Sequence, residues 1–507
     1  MSHPHIESKP LLEERNQSNN NDTSTPNNAT VIRTNFLFMT VLFAINHGCT
    51  VSCLDLANAR LGSIGVWQSG MLYLSYTLSA LCGASYVVKR LGSRNGLILG
   101  MGMNAGYVSS FFLVSMIVEK NEGVGWLHKL VAVVSAIVGG IGGSILWVSQ
   151  GGYFSSASEL FAAASYSSLG QDAAKKLEDV TSRFGGDFAF AFLLFEVLLR
   201  LSSSFIIKTA GVSWKVVFGL YSILSIIPVV LMMGVSDLKG YQTRYSQLRT
   251  EYGIDEGVVG FEEEGRKNNL PNNNKATATL DLLRTDPKAK YLSPLNILFG
   301  LSTSFCSSVL NGAVIRQVLD DPSSTFVGLF TSITSIVASV ASLLFGILQS
   351  SSQTSFLCGK GLIMTIGALS YLIIACQFVA FPDGNDWNRL SLLLVYVLLG
   401  VGRSTFEGTL RAIYADYFPD EKEGAFGNII LFSGTASTIG YVLSVTGALT
   451  CEEESEYCMK YNDGSIHNVR VMEYVIIATA VVSIPALWRA DWMFRKGKTR
   501  QYDNIVQ

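Results

Sequence analysis

Apolar residues along this chain gather in twelve stretches of about twenty, parted by shorter polar intervals. Six fall at about 35–54, 66–88, 95–117, 130–152, 187–208 and 213–234. Six more follow at about 291–313, 325–347, 360–380, 390–410, 425–448 and 471–489. At a rise of about 1.5 Å per residue, some twenty residues cross the roughly 30 Å hydrocarbon core of a bilayer. The pattern predicts an all-α membrane protein with twelve transmembrane helices in two six-helix bundles. The polar intervals mark its domains: a tail over 1–33, a first bundle over 34–234, a linker over 235–290, a second bundle over 291–490 and a tail over 491–507.

Composition supports this division. Of 507 residues, 49% are hydrophobic and 15% charged, against about 25% charged in soluble domains. The 47 glycines suit membrane helices, where small residues let backbones approach. A net charge of −2 gives no basis for a nucleic-acid partner; the expected partner is the lipid bilayer. The Asn-, Ser- and Thr-rich residues 1–33 predict a disordered tail, and no apolar signal-peptide core is seen there. Charge also orients the chain. With both tails cytosolic, roughly 26 Lys and Arg fall inside against roughly 9 outside, as the positive-inside rule requires.

Motifs narrow the fold. Lys89-Arg90-Leu91-Gly92-Ser93-Arg94, after the second stretch, resembles the glycine-and-basic loop of the major facilitator superfamily. Lys89 stands at that loop's acidic position and Ser85 at its first glycine. The layout of six spans, a linker and six spans fits the same fold. The fourth stretch ends Leu146-Trp147-Val148-Ser149-Gln150-Gly151-Gly152-Tyr153-Phe154-Ser155, which is similar to the Leu-Trp-x-x-Gln-Gly-x-Tyr signature of the Unc-ninety-three family, the ion channel regulatory branch of the superfamily. Three further blocks agree: Ala59-Arg60-Leu61-Gly62 with Tyr73 and Ser79, Thr181-Ser182-Arg183-Phe184-Gly185, and Thr409-Leu410-Arg411-Ala412 through Asn428. The resemblance implies a regulator of ion channels, potassium channels in particular, or of membrane-protein trafficking. The fold alone leaves open a secondary transporter moving a small solute or ion by alternating access.

Ionisable groups inside spans are costly and face cavities or partners. Glu196 and Arg200 lie four residues apart on one helical face, either a mutually satisfied pair or a charge pair lining the space between bundles. Arg403, Glu407 and Arg411 follow at four-residue steps, an expected row for an inner gate or an intrahelical ladder. Trp147, Gln150 and Tyr153 offer aromatic faces and an amide; Asn46 and His47 are buried polar groups of the first stretch, and His47 is either a satisfied buried histidine, the commoner case, or a proton carrier. All ten are cavity or gate candidates.

Two address patterns occupy the tails. Glu7 to Leu11 and Leu12 fits an acidic dileucine signal, and Tyr502 to Ile505 a tyrosine signal; both point to endosomal, lysosomal or vacuolar sorting, with the plasma membrane as the alternative. Cys451 and Cys458 flank an acidic loop segment and are a candidate disulfide if that loop meets an oxidising compartment. Cys49, Cys53, Cys82, Cys306 and Cys376 lie in apolar stretches, where burial is expected. HExxH, CxxC, Gly-x-Ser-x-Gly and P-loop patterns are absent, so neither catalysis, a metal nor a cofactor is expected.

Overall fold

A hydrocarbon core offers no water to backbone amides, so a spanning chain satisfies them within helices. The computed structural model describes residues 28–61, 63–118, 126–169, 177–210, 214–238, 277–320, 326–351, 359–381, 387–445, 458–460, 466–468 and 470–506. Among them, ten helices are long and apolar enough to cross a membrane, and the bent pair Trp67–Cys82 with Ala84–Leu91, at 61°, makes an eleventh. The twelfth is Leu177–Ala210, a 34-residue helix whose apolar run is broken by Arg183, Asp187, Glu196 and Arg200.

In chain order, spans 1 to 6 are Asn28–Leu61, Ser63–Cys82 with Ala84–Leu91, Ser93–Val118, Trp126–Leu169, Leu177–Ala210 and Trp214–Met232. Span 7 is Pro287–Phe305, continued by a π-helical turn Cys306–Val314 and by Ile315–Leu319. Spans 8 and 9 are Val327–Ser351 and Lys360–Ala380. Span 10 joins Arg389–Ser404 to Arg411–Tyr417 through a second π-helical turn, Thr405–Leu410. Spans 11 and 12 are Lys422–Val445 and Arg470–Val506.

Some boundaries differ from those the apolar pattern predicts. Span 1 begins at Asn28, because Ala29 and Ile32 are buried against the bundle. Span 12 continues to Val506, through the segment expected as a tail. The linker contains a helix, Ala278–Thr285, and span 7 starts within the linker's predicted end. There Asp286 caps the helix by accepting from the Lys288 amide, with Pro287 at the first helical position. A small hairpin, Cys458–Lys460 paired with Ile466–Asn468, adds to the all-α frame between spans 11 and 12.

The two halves meet along two seams, span 5 against span 8 and span 2 against span 11. Helices in lipid associate through close packing rather than hydrophobic burial, and glycine permits it here. A Cβ on Gly186 would lie 2.9 Å from the Gly346 Cα and the same distance from the Ser342 carbonyl. At the other seam, the linker helix wedges between the halves. Thr279 meets the Ser85 hydroxyl at 3.2 Å and donates to the Ala80 carbonyl at 3.3 Å, while Asn428 donates to the Thr279 carbonyl at 3.0 Å. We call the side bearing this helix, the turn between spans 2 and 3 and the turn between spans 10 and 11 the linker face.

Candidate functional site

Between the halves lies a cavity of about 250 Å³, lined from spans 1 to 5 and 7 to 11. Its charged lining is Asp55, Arg200, Arg403, Glu407 and Arg411; tyrosines 73, 76, 371, 396 and 441 supply much of the rest. Behind the wall sits Glu196, fully buried. It accepts from Arg403 of the opposite half at 2.6 and 2.7 Å, a bidentate fork. Arg200, one turn on in the same helix, lies 2.6 Å from Glu196 and reaches Asp55 of span 1 at 2.8 Å. Ser335 of span 8 completes the cluster, donating to Glu196 at 3.0 Å and accepting from Arg200 at 2.9 Å. A lone buried charge is expensive; four charges in alternating sign with a hydroxyl among them compensate one another.

Deeper toward the linker face, Arg411 of span 10 crosses to the first half. Its guanidinium stacks over the Trp147 ring at 4.2 Å and donates to Gln150 Oε1 at 3.1 Å. It also donates to Glu407 at 3.3 Å. Phe43, Phe188 and Phe192 pack around Trp147, with ring centres 4.7, 6.4 and 5.6 Å away. The three charges of the predicted row all line the cavity. A π-helical turn, Thr405–Leu410, lies between Arg403 and Arg411; Arg403 bonds Glu196 while Glu407 pairs with Arg411. Such turns recur at functional sites.

Three ion pairs close the linker face, and each reaches across or along the seam. Lys89 meets Glu421 at 3.2 Å and Lys422 meets Glu159 at 2.6 Å. Lys360 pairs with Asp416, which also accepts from Thr181 of span 5 at 2.7 Å. Within the basic loop, Gly92 adopts φ 81, a backbone that side-chain-bearing residues rarely take. Arg94 donates to the Met233 carbonyl, and Arg90 lies over the Tyr86 ring at 5.0 Å.

Of the remaining expectations, Asn46 bonds the Met101 and Ser225 carbonyls at 3.1 and 2.9 Å; it ties spans 1, 3 and 6 together and does not line the cavity. Tyr153 donates to the Ser236 carbonyl at 3.2 Å, also away from the cavity. His47 does line it, with its ring 5.0 Å from that of Trp147. Cys49 and Cys53 are buried, but Cys82 and Cys376 are exposed, because they lie on the outward faces of spans 2 and 9. Glu7, Leu11, Leu12 and Cys451 lie outside the described residues, as do the side chains of Cys458, Tyr502 and Ile505.

The signature that carries Trp147 and Gln150 thus sits at the seam where Arg411 docks, and the match extends along the chain. A family model described as ion channel regulatory protein UNC-93 matches residues 63–451. The chain belongs to the UNC-93 family. UNC93-like protein 3 of Arabidopsis thaliana is 22% identical over 411 residues, covering 80% of this chain and 78% of the plant protein. Among solved structures, an outward-facing bacterial homologue of the iron transporter ferroportin matches with a TM-score of 0.56 and 15% identity, over 91% of this chain and 99% of the other. The xylose transporter XylE from E. coli, partially occluded and inward open, matches with a TM-score of 0.56 and 12% identity over 91% and 97%. At such identities the likeness is one of fold, and the fold is that of the major facilitator superfamily.

Several partners in this UNC-93 protein are invisible to a reading of isolated apolar stretches. Asp55 falls just past the end of its stretch, where a charge is unremarkable. Ser335 and Glu159 carry no motif, and Thr181 belongs to a family-like block that names no partner for it. The pairs Lys360–Asp416 and Lys422–Glu159 lie far apart in sequence; packing of spans 9 and 10 makes the first, and only the docked halves make the second.

Proposed function

We propose that this UNC-93 protein regulates an ion channel, a potassium channel by the family's implication, and that two arrangements of its facilitator frame are the regulatory states. The observation that supports this most is the shared charge cluster. Glu196 and Arg200 come from one half, Arg403 and Ser335 from the other, and the contacts between them are made only while the halves are docked. Frames with interfacial charge pairs of this kind have discrete arrangements rather than continuous ones. A partner that binds one arrangement more tightly shifts the balance, and a change in the cluster shifts the partner in return. The reading assigns the chain no catalytic chemistry.

Both tails and the linker lie in the cytosol in this proposal, supported by the Lys and Arg asymmetry. That placement exposes the dileucine and tyrosine signals to sorting machinery, and favours an endolysosomal or vacuolar membrane. The test is potassium conductance in the source cells, measured with the chain removed, restored, and restored as Arg403→Gln. Conductance should change on removal and return with the wild type but not with the variant at matched expression. Unchanged conductance on removal contradicts the proposal.

A second reading, transport of a small solute, has one observation in its favour: the cavity reaches polar and charged groups of both halves, as a translocation site must.

A further inference from the structure

The cavity's deep end holds hydrogen-bonding atoms that its ion pairs leave unused. Arg411 spends Nη1 on Gln150 and Nη2 on Glu407. Its Nε is buried and meets no partner among the described residues, and the same holds for His47 Nδ1. Both side chains line the cavity, and both pack on the Trp147 ring, the guanidinium at 4.2 Å and the imidazole at 5.0 Å. Arg411 is itself 7% exposed.

Charge separates this arginine from its neighbours. Arg403 is neutralised by two short contacts to Glu196, and Arg200 lies between Glu196 and Asp55. Arg411 has a single carboxylate contact, at 3.3 Å. A guanidinium only donates, so its bond to Gln150 requires the amide oxygen to face Arg411. Gln150 thereby holds the fork in place as a positioning residue. What would complete the site is an anionic acceptor able to take more than one donor. A carboxylate has two oxygens and about four lone-pair directions, and its bonds to a guanidinium are charge-assisted. Tyr73, Tyr76, Phe299 and Phe426 also line the wall, and such rings suit an aromatic or apolar body.

We propose that this end of the cavity binds the carboxylate of a small aromatic or apolar organic acid, held by Arg411 Nε and, with its proton on Nδ1, by His47, beside Trp147. The inference rests on the reading that two arrangements of the facilitator frame are the regulatory states. Occupancy adds a contact to a residue that bridges the halves, so the acid stabilises the docked arrangement.

The full chain in detergent is titrated with benzoate and phenylacetate, with phenylacetamide and phenethylamine as the neutral and cationic counterparts, and affinity is read from the thermal midpoint. At least one acid should raise the midpoint saturably. The amide and amine should bind at least about tenfold more weakly, the loss expected when a charge-assisted bond is removed. His47→Phe and Arg411→Lys should each weaken the acid by a similar factor; should Arg411→Lys fail to fold, His47→Phe decides. Amide binding as tight as acid binding, acid binding unchanged in His47→Phe, or no binding of either acid overturns the proposal. If acids fail while removal of the chain still alters potassium conductance, only the ligand is lost and the regulatory reading stands.

Discussion

Glu196 holds guanidinium groups from both halves, and neutralising it leaves Arg200 and Arg403 buried beside Asp55 alone. Breaking a buried ion pair by removing one partner costs about 3–5 kcal/mol in soluble proteins. Glu196→Gln should therefore lower the thermal midpoint in detergent by several degrees. Glu407→Gln should lower it less, since Glu407 makes one longer contact. Equal midpoints for Glu196→Gln and wild type would contradict the cluster's energetic role. Glu196, Arg200, Arg403 and Glu407 are legible in sequence because an ionised group in an apolar stretch must be compensated, and Arg411 by its spacing from them. Asp55 is not, because at the end of a stretch a charge needs no such account. The four-residue spacing of Arg403, Glu407 and Arg411 suggests one row, and all three line the cavity; the π-helical turn between them is not legible in that spacing.

Spans 5 and 8 cross where Gly186 and Gly346 touch, so the crossing tolerates no added methyl group without separating the backbones. Gly346→Ala should reduce both the yield of folded protein and its midpoint, whereas Gly106→Ala, with nothing within 4 Å of its added Cβ, should leave both within error of wild type. Size-exclusion profiles of the two variants, read before and after heating, make the comparison. Existence of the helices followed from stretch length alone, and the glycine content hinted at close crossings. Their ends did not follow: span 1 starts early and span 12 continues to Val506 because local packing and helix continuity, not hydropathy, decide where a helix stops. The linker helix Ala278–Thr285 is not legible in the sequence because eight residues of mixed polarity leave no membrane-length signal.

At the scale of the molecule, the linker face is held by side chains that pair only in the docked arrangement. Ser85 and Thr279 face each other across one seam, with hydroxyls 3.2 Å apart. Cysteines at these two positions should cross-link readily under mild oxidation, and cleavage within 239–276 should then leave the halves joined. Adding Lys360→Met and Lys422→Met should slow that cross-linking by weakening the closure; an unchanged rate would mean the ion pairs do not hold the face shut. The two-half layout was legible from spacing, yet the seams were not, since a seam is a relation between stretches that no single stretch records. For the same reason the fold shared with transporters does not by itself decide what the frame is used for.

Reconstitution into liposomes containing only this protein tests the regulatory account most directly, with potassium, proton and labelled small-acid fluxes followed under an imposed gradient. The account predicts that each flux matches that of empty liposomes, because the frame changes state to act on a channel rather than to carry a solute. Saturable flux that is abolished by Glu196→Gln in folded protein would contradict it and make this UNC-93 protein a transporter.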